Sequence, residues 1–361
     1  ERVDDSKSPD MDEMFAYDAQ GRIVRQLRGE RVRTLDGVSA AEGGSAQFGA
    51  SAMDVNTAVG ANSGDGVYTY YSNTNKLANV ANGMGGTAES RDMSDPQNFQ
   101  YDEDGNLTAD HSKHMTIAYD WRGMPVEFKR LDKCYDIHEQ IVCDSVKLEI
   151  AYDGTGSRIA KTRLRKAVGS DDWTPEHATH YTGIGSEIRE SHVNGQDETK
   201  IVVNMPQGLG RYGIEEVCFA SEETQSPSVI LNGTSREGSS NCSYNSYKNI
   251  ADEFYLTNHL GSTMMVAQVN SSNANAPVDI AAAYDYRAFD EQIGLTNAVD
   301  KVTENFTGKE KDDETDLNYF GARYLDPMLG LWTSVDAARQ HFSPYTYGSN
   351  NPIVRIDPDG N

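Results

Sequence analysis

Apolar and polar residues alternate along much of this chain. In "MTIAYD" (115–120) and "VKLEIAYD" (146–153) every second residue is apolar, and each run ends on Tyr-Asp. A period of two predicts β-strands with one face buried. A Gly follows three residues after the Asp: "YDAQGRIVRQ" begins at Tyr17, "YDEDGNLTAD" at Tyr101, "YDWRGMPVEF" at Tyr119 and "YDGTGSRIAK" at Tyr152. The Asp side chain bonds its own backbone and Gly takes positive φ, so each unit predicts a β-hairpin. The Tyr is expected at the strand end, packed along its neighbour with the hydroxyl in water. One hairpin is not stable alone, whereas stacked hairpins are. Polar stretches at 39–65, 83–97, 220–250 and 270–277 separate the units and predict loops or small insertions.

Composition agrees with a β-rich chain. Of 361 residues, 32 are Gly, and the 19 Tyr exceed the 10 Phe and 3 Trp. The net charge is −24, which argues against nucleic acid and against docking on anionic lipid. It fits a solubilising surface. No apolar run reaches the ~20 residues of a membrane helix. The first residue is Glu and no signal peptide follows it, so the chain is expected to be a piece of something longer.

Cys134, Cys143, Cys218 and Cys242 form no CxxC, which disfavours zinc. They fall into two local pairs, each bracketing an insertion-like segment, and predict two disulfides in an oxidising compartment. Pairing 134–143 with 218–242 is the most local of three connectivities.

The Tyr-Asp units resemble the YD repeats of the Rhs family. The segments "YLTNHLGSTMMVAQ" (255–268), "FTGKEKDDETDLNYFGARYLDPMLGLWTSVD" (306–336) and "YTYGSNNPIVRIDPDG" (345–360) are similar, in order, to that family's repeat-associated core. "AYDYRAFDEQ" (283–292) resembles a further Tyr-Asp-x-x-Gly element with Ala288 in the Gly place. The resemblance implies a mostly β fold: stacked YD-repeat hairpins form a curved or spiralling sheet, part of a shell, closed by a C-terminal core. It divides the chain into a repeat region (1–165), a β-rich segment with polar insertions (166–250) and the core domain (251–361). Related shells include the C components of insecticidal toxin complexes and the teneurins.

The family's function enters the same way. Its shells often hold a C-terminal toxic polypeptide, and bacterial members release it by aspartate-dependent self-cleavage just past an Asp-Pro-x-Gly motif. Here that motif is Asp357-Pro358-Asp359-Gly360, and Asn361 stands where Leu is common. Arg323, Asp336 and Asp357 match the family's cleavage residues, with Gly360 and Asn361 as the cleavage site. Hydrolysis by two carboxylates needs one ionised to activate water and one protonated to donate to the leaving group. Arg323 is the positioning or electrophilic group. Structural roles compete at each position: Asp357 as a turn residue, Asp336 as the N-cap of a helix over "AARQHF", and Arg323 as an ion-pair partner of Asp326 or another acid. His259 is expected to pack at a strand end.

"GMGG" (83–86) lacks the Lys of a phosphate loop, and "DEDGN" (102–106) has Ser112 where a calcium loop needs Glu. No cofactor is expected. The expected partners are the chain's own C-terminal polypeptide, upstream shell repeats, and further copies through open edge strands. Secretion or display at a bacterial surface follows from the cysteines and the resemblance. The competing function is a cell-surface adhesin or carbohydrate-binding module, with Tyr faces stacking on sugar rings.

Overall fold

The computed structural model describes residues 2–3, 13–28, 65–81, 92–137, 140–183, 185–193, 196–205, 208–217, 252–269, 278–296, 302 and 304–361. They belong to two compact units. One comprises Glu1–Pro125, Tyr286–Ile293 and Glu310–Asn361, the other Val126–Asp285 and Gly294–Lys309.

In the first unit, β1 (Arg2–Val3), β2 (Glu13–Tyr17), β3 (Ile23–Arg28), β4 (Asp65–Tyr70) and β5 (Leu77–Ala81) form an antiparallel sheet in chain order. A meander follows: β6 (Phe99–Tyr101), β7 (Leu107–Asp110) and β8 (Met115–Tyr119). The second unit is a longer meander. Its strands are β9 (Pro125–Ile137), β10 (Gln140–Tyr152), β11 (Arg158–Lys166), β12 (Thr174–Tyr181), β13 (Ser186–Val193), β14 (Gln196–Asn204), β15 (Gly210–Val217), β16 (Glu253–Thr257), β17 (Thr263–Val269) and β18 (Val278–Tyr286). Each pairs antiparallel with the next. After β19 (Gln292–Gly294), the chain returns to the first unit. There β20 (Glu310–Asp312), β21 (Leu317–Tyr319), β22 (Tyr324–Asp326) and β23 (Leu331–Trp332) make a four-stranded sheet in chain order. The protein is therefore mostly β, built of antiparallel hairpins as the alternation predicts.

Alternation sets the buried face. In β10, Val146, Leu148 and Ile150 are buried, with Lys147 and Glu149 between them more accessible. In β8, Met115 and Ile117 are buried while Thr116 and Ala118 are exposed.

The four Tyr-Asp turns share one geometry. The Asp carboxylate of each accepts the N–H four residues on: Arg22 on Asp18, Asn106 on Asp102, Met124 on Asp120 and Ser157 on Asp153, at 2.8–3.1 Å. The Gly N–H returns to the Asp carbonyl, with Gly φ between +76° and +94°. Asp102 is thereby committed to its hairpin, and the described residues hold no cluster of His, Cys, Asp and Glu able to bind a metal ion.

Three features correct the sequence reading. First, two of the repeat tyrosines, Tyr101 and Tyr119, do not leave their hydroxyls in water. Tyr119 donates to the Leu107 carbonyl (2.9 Å) and the Tyr101 hydroxyl bonds the Leu77 backbone; Tyr70, outside the Tyr-Asp units, likewise donates to the Ile23 carbonyl (2.8 Å). Each hydroxyl reaches the strand of the preceding turn, because a buried phenol that gives up water needs another partner. Second, the turn in "AYDYRAFDEQ" is centred two residues later than Tyr284-Asp285 implies. Arg287 bonds Glu291 backbone to backbone, and Asp290, not Ala288, takes the left-handed position at φ +90°. Third, no helix follows Asp336. Arg339 adopts φ +50°, which breaks a helical path at its first turn.

Two other segments make the Tyr-Asp turn without its letters. Asn258 accepts the Leu260 and Ser262 N–H groups, with Gly261 at φ +86°. Thr182 bonds Ser186 through both backbone and side chain, with Gly185 at φ +83°. His259 is an exposed residue of the first of these turns rather than a packed strand end.

Cys134 and Cys143 lie directly opposite each other on β9 and β10 and form a disulfide. Cys218 and Cys242 lie outside the described residues, as do most of the predicted polar loops.

Candidate functional site

The first unit gathers the predicted residues around Arg323. Gly321, at φ +116°, turns the chain between β21 and β22. The last residues of the chain lie against this turn. Ala322 N–H donates to the Asp359 carbonyl at 2.9 Å. A Cβ on Gly321 would sit 2.8 Å from the Asp359 oxygen, and one on Gly360 would sit 3.0 Å from the Arg323 nitrogen. Only glycine at both positions lets the two backbones approach this closely.

Arg323 is 5% exposed. Its Nε donates to the Gly360 carbonyl. Nη1 reaches the Pro344 carbonyl at 3.3 Å, and Nη2 lies 3.6 Å from Asp357 Oδ2. The guanidinium carbon stands 4.3 Å over the ring of Trp332. Burial pushes the guanidinium pKa down, and the charges of Asp336, Asp357 and Asp359 oppose that shift. Asp326 is not its partner: Asp326 binds Lys113 at 2.6 Å, with both side chains buried.

Asp357 forms the turn that its sequence predicts. Its Oδ1 accepts the N–H groups of Gly360 (2.7 Å) and Asp359 (3.3 Å). Asp359 Oδ1 in turn accepts the Asn361 N–H at 3.2 Å. The turn role and the contact with Arg323 coexist, since they use different carboxylate oxygens.

Asp336 is buried and accepts Ala338 N–H on Oδ1 (2.7 Å) and Gln340 N–H on Oδ2 (2.9 Å). Burial raises its carboxyl pKa. The amides of Gln340, Ala338 and Arg339, with the charge of Arg323, outweigh burial and hold the pKa below the ordinary 3.8. The backbone N–H of Asp336 donates to the same Pro344 carbonyl that Arg323 uses, at 3.1 Å. Pro344 therefore links the two residues.

Sequence reasoning names Arg323, Asp336, Asp357, Gly360 and Asn361 but not Trp332, Pro344 or Gly321. The signal for Gly321 is its Gly-Ala-Arg context beside a motif that also ends in Gly. Trp332 and Pro344 carry no local signal.

No family model matches the chain. Among curated proteins, it is 35% identical to salivary gland surface protein 1 of Aedes aegypti over 118 residues, 32% of this chain and 3% of the relative. It is 25% identical to double-stranded DNA deaminase toxin A of Burkholderia cenocepacia over 279 residues, 73% of this chain and 17% of the relative. It is 44% identical to toxin subunit YenC1 of Yersinia entomophaga over 57 residues, 15% of this chain and 6% of the relative. The chain thus spans less than a fifth of the length of each of these relatives, two of which are toxin proteins by name.

Proposed function

We propose that this chain is a segment of a YD-repeat shell or scaffold of toxin type. It encloses or presents a polypeptide joined to its C-terminal end and releases it by self-cleavage after Asp357-Pro358-Asp359-Gly360-Asn361. The observation that carries the reading is the convergence on Arg323. One buried guanidinium holds the Gly360 carbonyl and the Asp357 carboxylate, and it feels the charge of Asp336.

In the proposed reaction, water adds to the carbonyl carbon of residue 361 as Asp336 takes its proton. The carbon–nitrogen bond then breaks as that proton, passed on through Asp357, reaches the leaving nitrogen. One water is consumed, and a carboxyl and an amine are released. Asp336 suits the base role because its amide donors keep it ionised. Arg323 suits a clamp on the backbone leading to the bond. Its Nε and Nη1 already bond the Gly360 and Pro344 carbonyls and Nη2 faces Asp357, which favours positioning over direct polarisation of the residue 361 carbonyl.

The relatives named as toxins support work within a larger assembly, with the upstream repeats and the released polypeptide as partners. The Cys134–Cys143 bridge supports secretion into an oxidising compartment. No helix among the described residues is long and apolar enough to cross a membrane.

The test is the intact mass of the chain extended beyond Asn361 by a reporter segment, with Asp336→Asn and Asp357→Asn beside it. Wild type is expected to yield a product ending at Asn361, and each variant to slow cleavage at least ~100-fold, the usual weight of an acid–base group. An acid limb below the ordinary carboxylate range would mark Asp336 as the base, because its pKa is lowered. Uncut wild type would remove the cleavage and leave a scaffold or surface adhesin, a reading that the Aedes surface protein favours.

A further inference from the structure

The edge of the Arg323 guanidinium is spent on Gly360, Pro344 and Asp357. Its Cζ stands 4.3 Å over the centre of the Trp332 ring. Trp332 is itself immobilised. It is 3% exposed, and Phe320 and Tyr347 meet it edge-on at 5.1 and 5.4 Å between ring centres. Its backbone N–H donates to the Tyr345 carbonyl at 3.0 Å, which fixes the main chain that carries the ring. An aliphatic residue could fill the space under Arg323. What the indole adds is a wide negative π face, which attracts a cation that has lost its water and restricts the guanidinium to one plane.

We infer that Trp332 is the positioning residue of this site: its ring sets the plane of Arg323, and Arg323 thereby holds the Asp357–Asn361 turn against residues 320–323. The orientation matters because the guanidinium donates in a fixed planar fork. Tilting that plane withdraws donors from Gly360, Pro344 and Asp357 together. Phe320 supports both partners, touching the Trp332 ring edge-on and presenting its Cβ 3.1 Å from the Cβ position of Gly360. The effect on cleavage rate rests on the proposed function, whereas the hold on the turn does not.

The experiment uses the chain extended beyond Asn361, with Trp332→Phe, Trp332→Leu, Arg323→Lys and the Trp332→Leu/Arg323→Lys pair. Hydrogen exchange over residues 355–361 and the cleavage rate are measured side by side. Leu is expected to raise exchange in 355–361 and to slow cleavage, each on the order of tenfold, the scale of a desolvated cation–π contact. Phe retains a π face and should stay within about threefold of wild type. In the Lys background, which keeps the charge but lacks the planar fork, Trp332→Leu should add less than about twofold. If Trp332→Leu does not fold, Phe replaces it in the cycle, and its smaller effect should likewise vanish beside Lys.

Wild-type exchange in 355–361 for the Leu variant would overturn the inference. So would full additivity with Arg323→Lys, or a Phe variant as damaged as Leu with protection lost across all of 310–361. An uncut wild type removes the cleavage reading alone, because exchange still decides whether Trp332 holds the turn.

Discussion

At Asp290 the chain places an acid where its other turns place glycine. The residue is 2% exposed at φ +90°, and its Oδ2 has no hydrogen-bond partner. Burial pushes its carboxyl well above the ordinary 3.8, against the pull of Lys311. The folded state keeps a proton that the unfolded chain gives up, so stability falls as pH rises from the unfolded value and levels off above the folded one. Asp290→Asn keeps a side chain that tolerates positive φ and removes the titration. In urea melts, the two proteins should be nearly equal below about pH 4, and the Asn variant should gain on wild type above it. Parallel curves across the pH range would show that the carboxyl is not buried as an acid. Nothing in the letters Phe-Asp-Glu announces this. The Asp is recognisable as a turn residue, but its left-handed backbone and burial come from the turn register and the packing of Phe289 against Phe15 (4.9 Å between ring centres).

The hairpin turn is the element most legible in the sequence. Its requirements are an acceptor at the first position and positive φ at the fourth, and Asp and Gly meet them within five residues. Asn258, accepting the Ser262 N–H, and Thr182, whose hydroxyl accepts the Ser186 N–H, meet the first requirement with other letters, which is why a search for Tyr-Asp passes over them. Two glycines separate the backbone cost from the packing cost. A Cβ on Gly123 (φ +76°) comes no closer than 3.8 Å to a neighbour, whereas one on Gly105 (φ +94°) would meet Val335 at 2.7 Å and the Tyr345 hydroxyl at 2.9 Å. Gly123→Ala should therefore cost about 1 kcal/mol, from backbone strain alone. Gly105→Ala should cost about 2–4 kcal/mol, because it also displaces the Tyr345 hydroxyl that donates to Gly105. Chemical denaturation of both variants checks this, and equal losses would contradict it. The disulfide shows the same division. Three pairings are open to the letters, and the register that sets Cys134 opposite Cys143 selects one half of the most local pairing.

On the scale of the whole molecule, the charge of −24 dominates. Like charges repel more strongly in the compact state, and salt screens them. The thermal midpoint should therefore rise as sodium chloride goes from about 10 to about 200 mM, over which the Debye length shrinks from about 30 to below 8 Å. A flat response would mean that ion pairs such as Arg165 with Asp132, Asp144 and Glu176 already neutralise the surface locally.

The sequence by itself determined the class of the fold and the turns that punctuate it. Alternation and turn chemistry act between residues at most four apart, and their energetics do not wait for the rest of the chain. It also named the acids and the arginine of the candidate site. Only the tertiary structure decided what these residues touch. Asp326 and Asp357 were equally available to Arg323 as letters. The fold gives Asp326 to Lys113, which lies 213 positions away, and gives Arg323 to Asp357, Pro344, Gly360 and Trp332. Partners so far apart in sequence are chosen by the path of the chain and by which charges it buries together, and a buried charge is stable only beside the partner that path supplies.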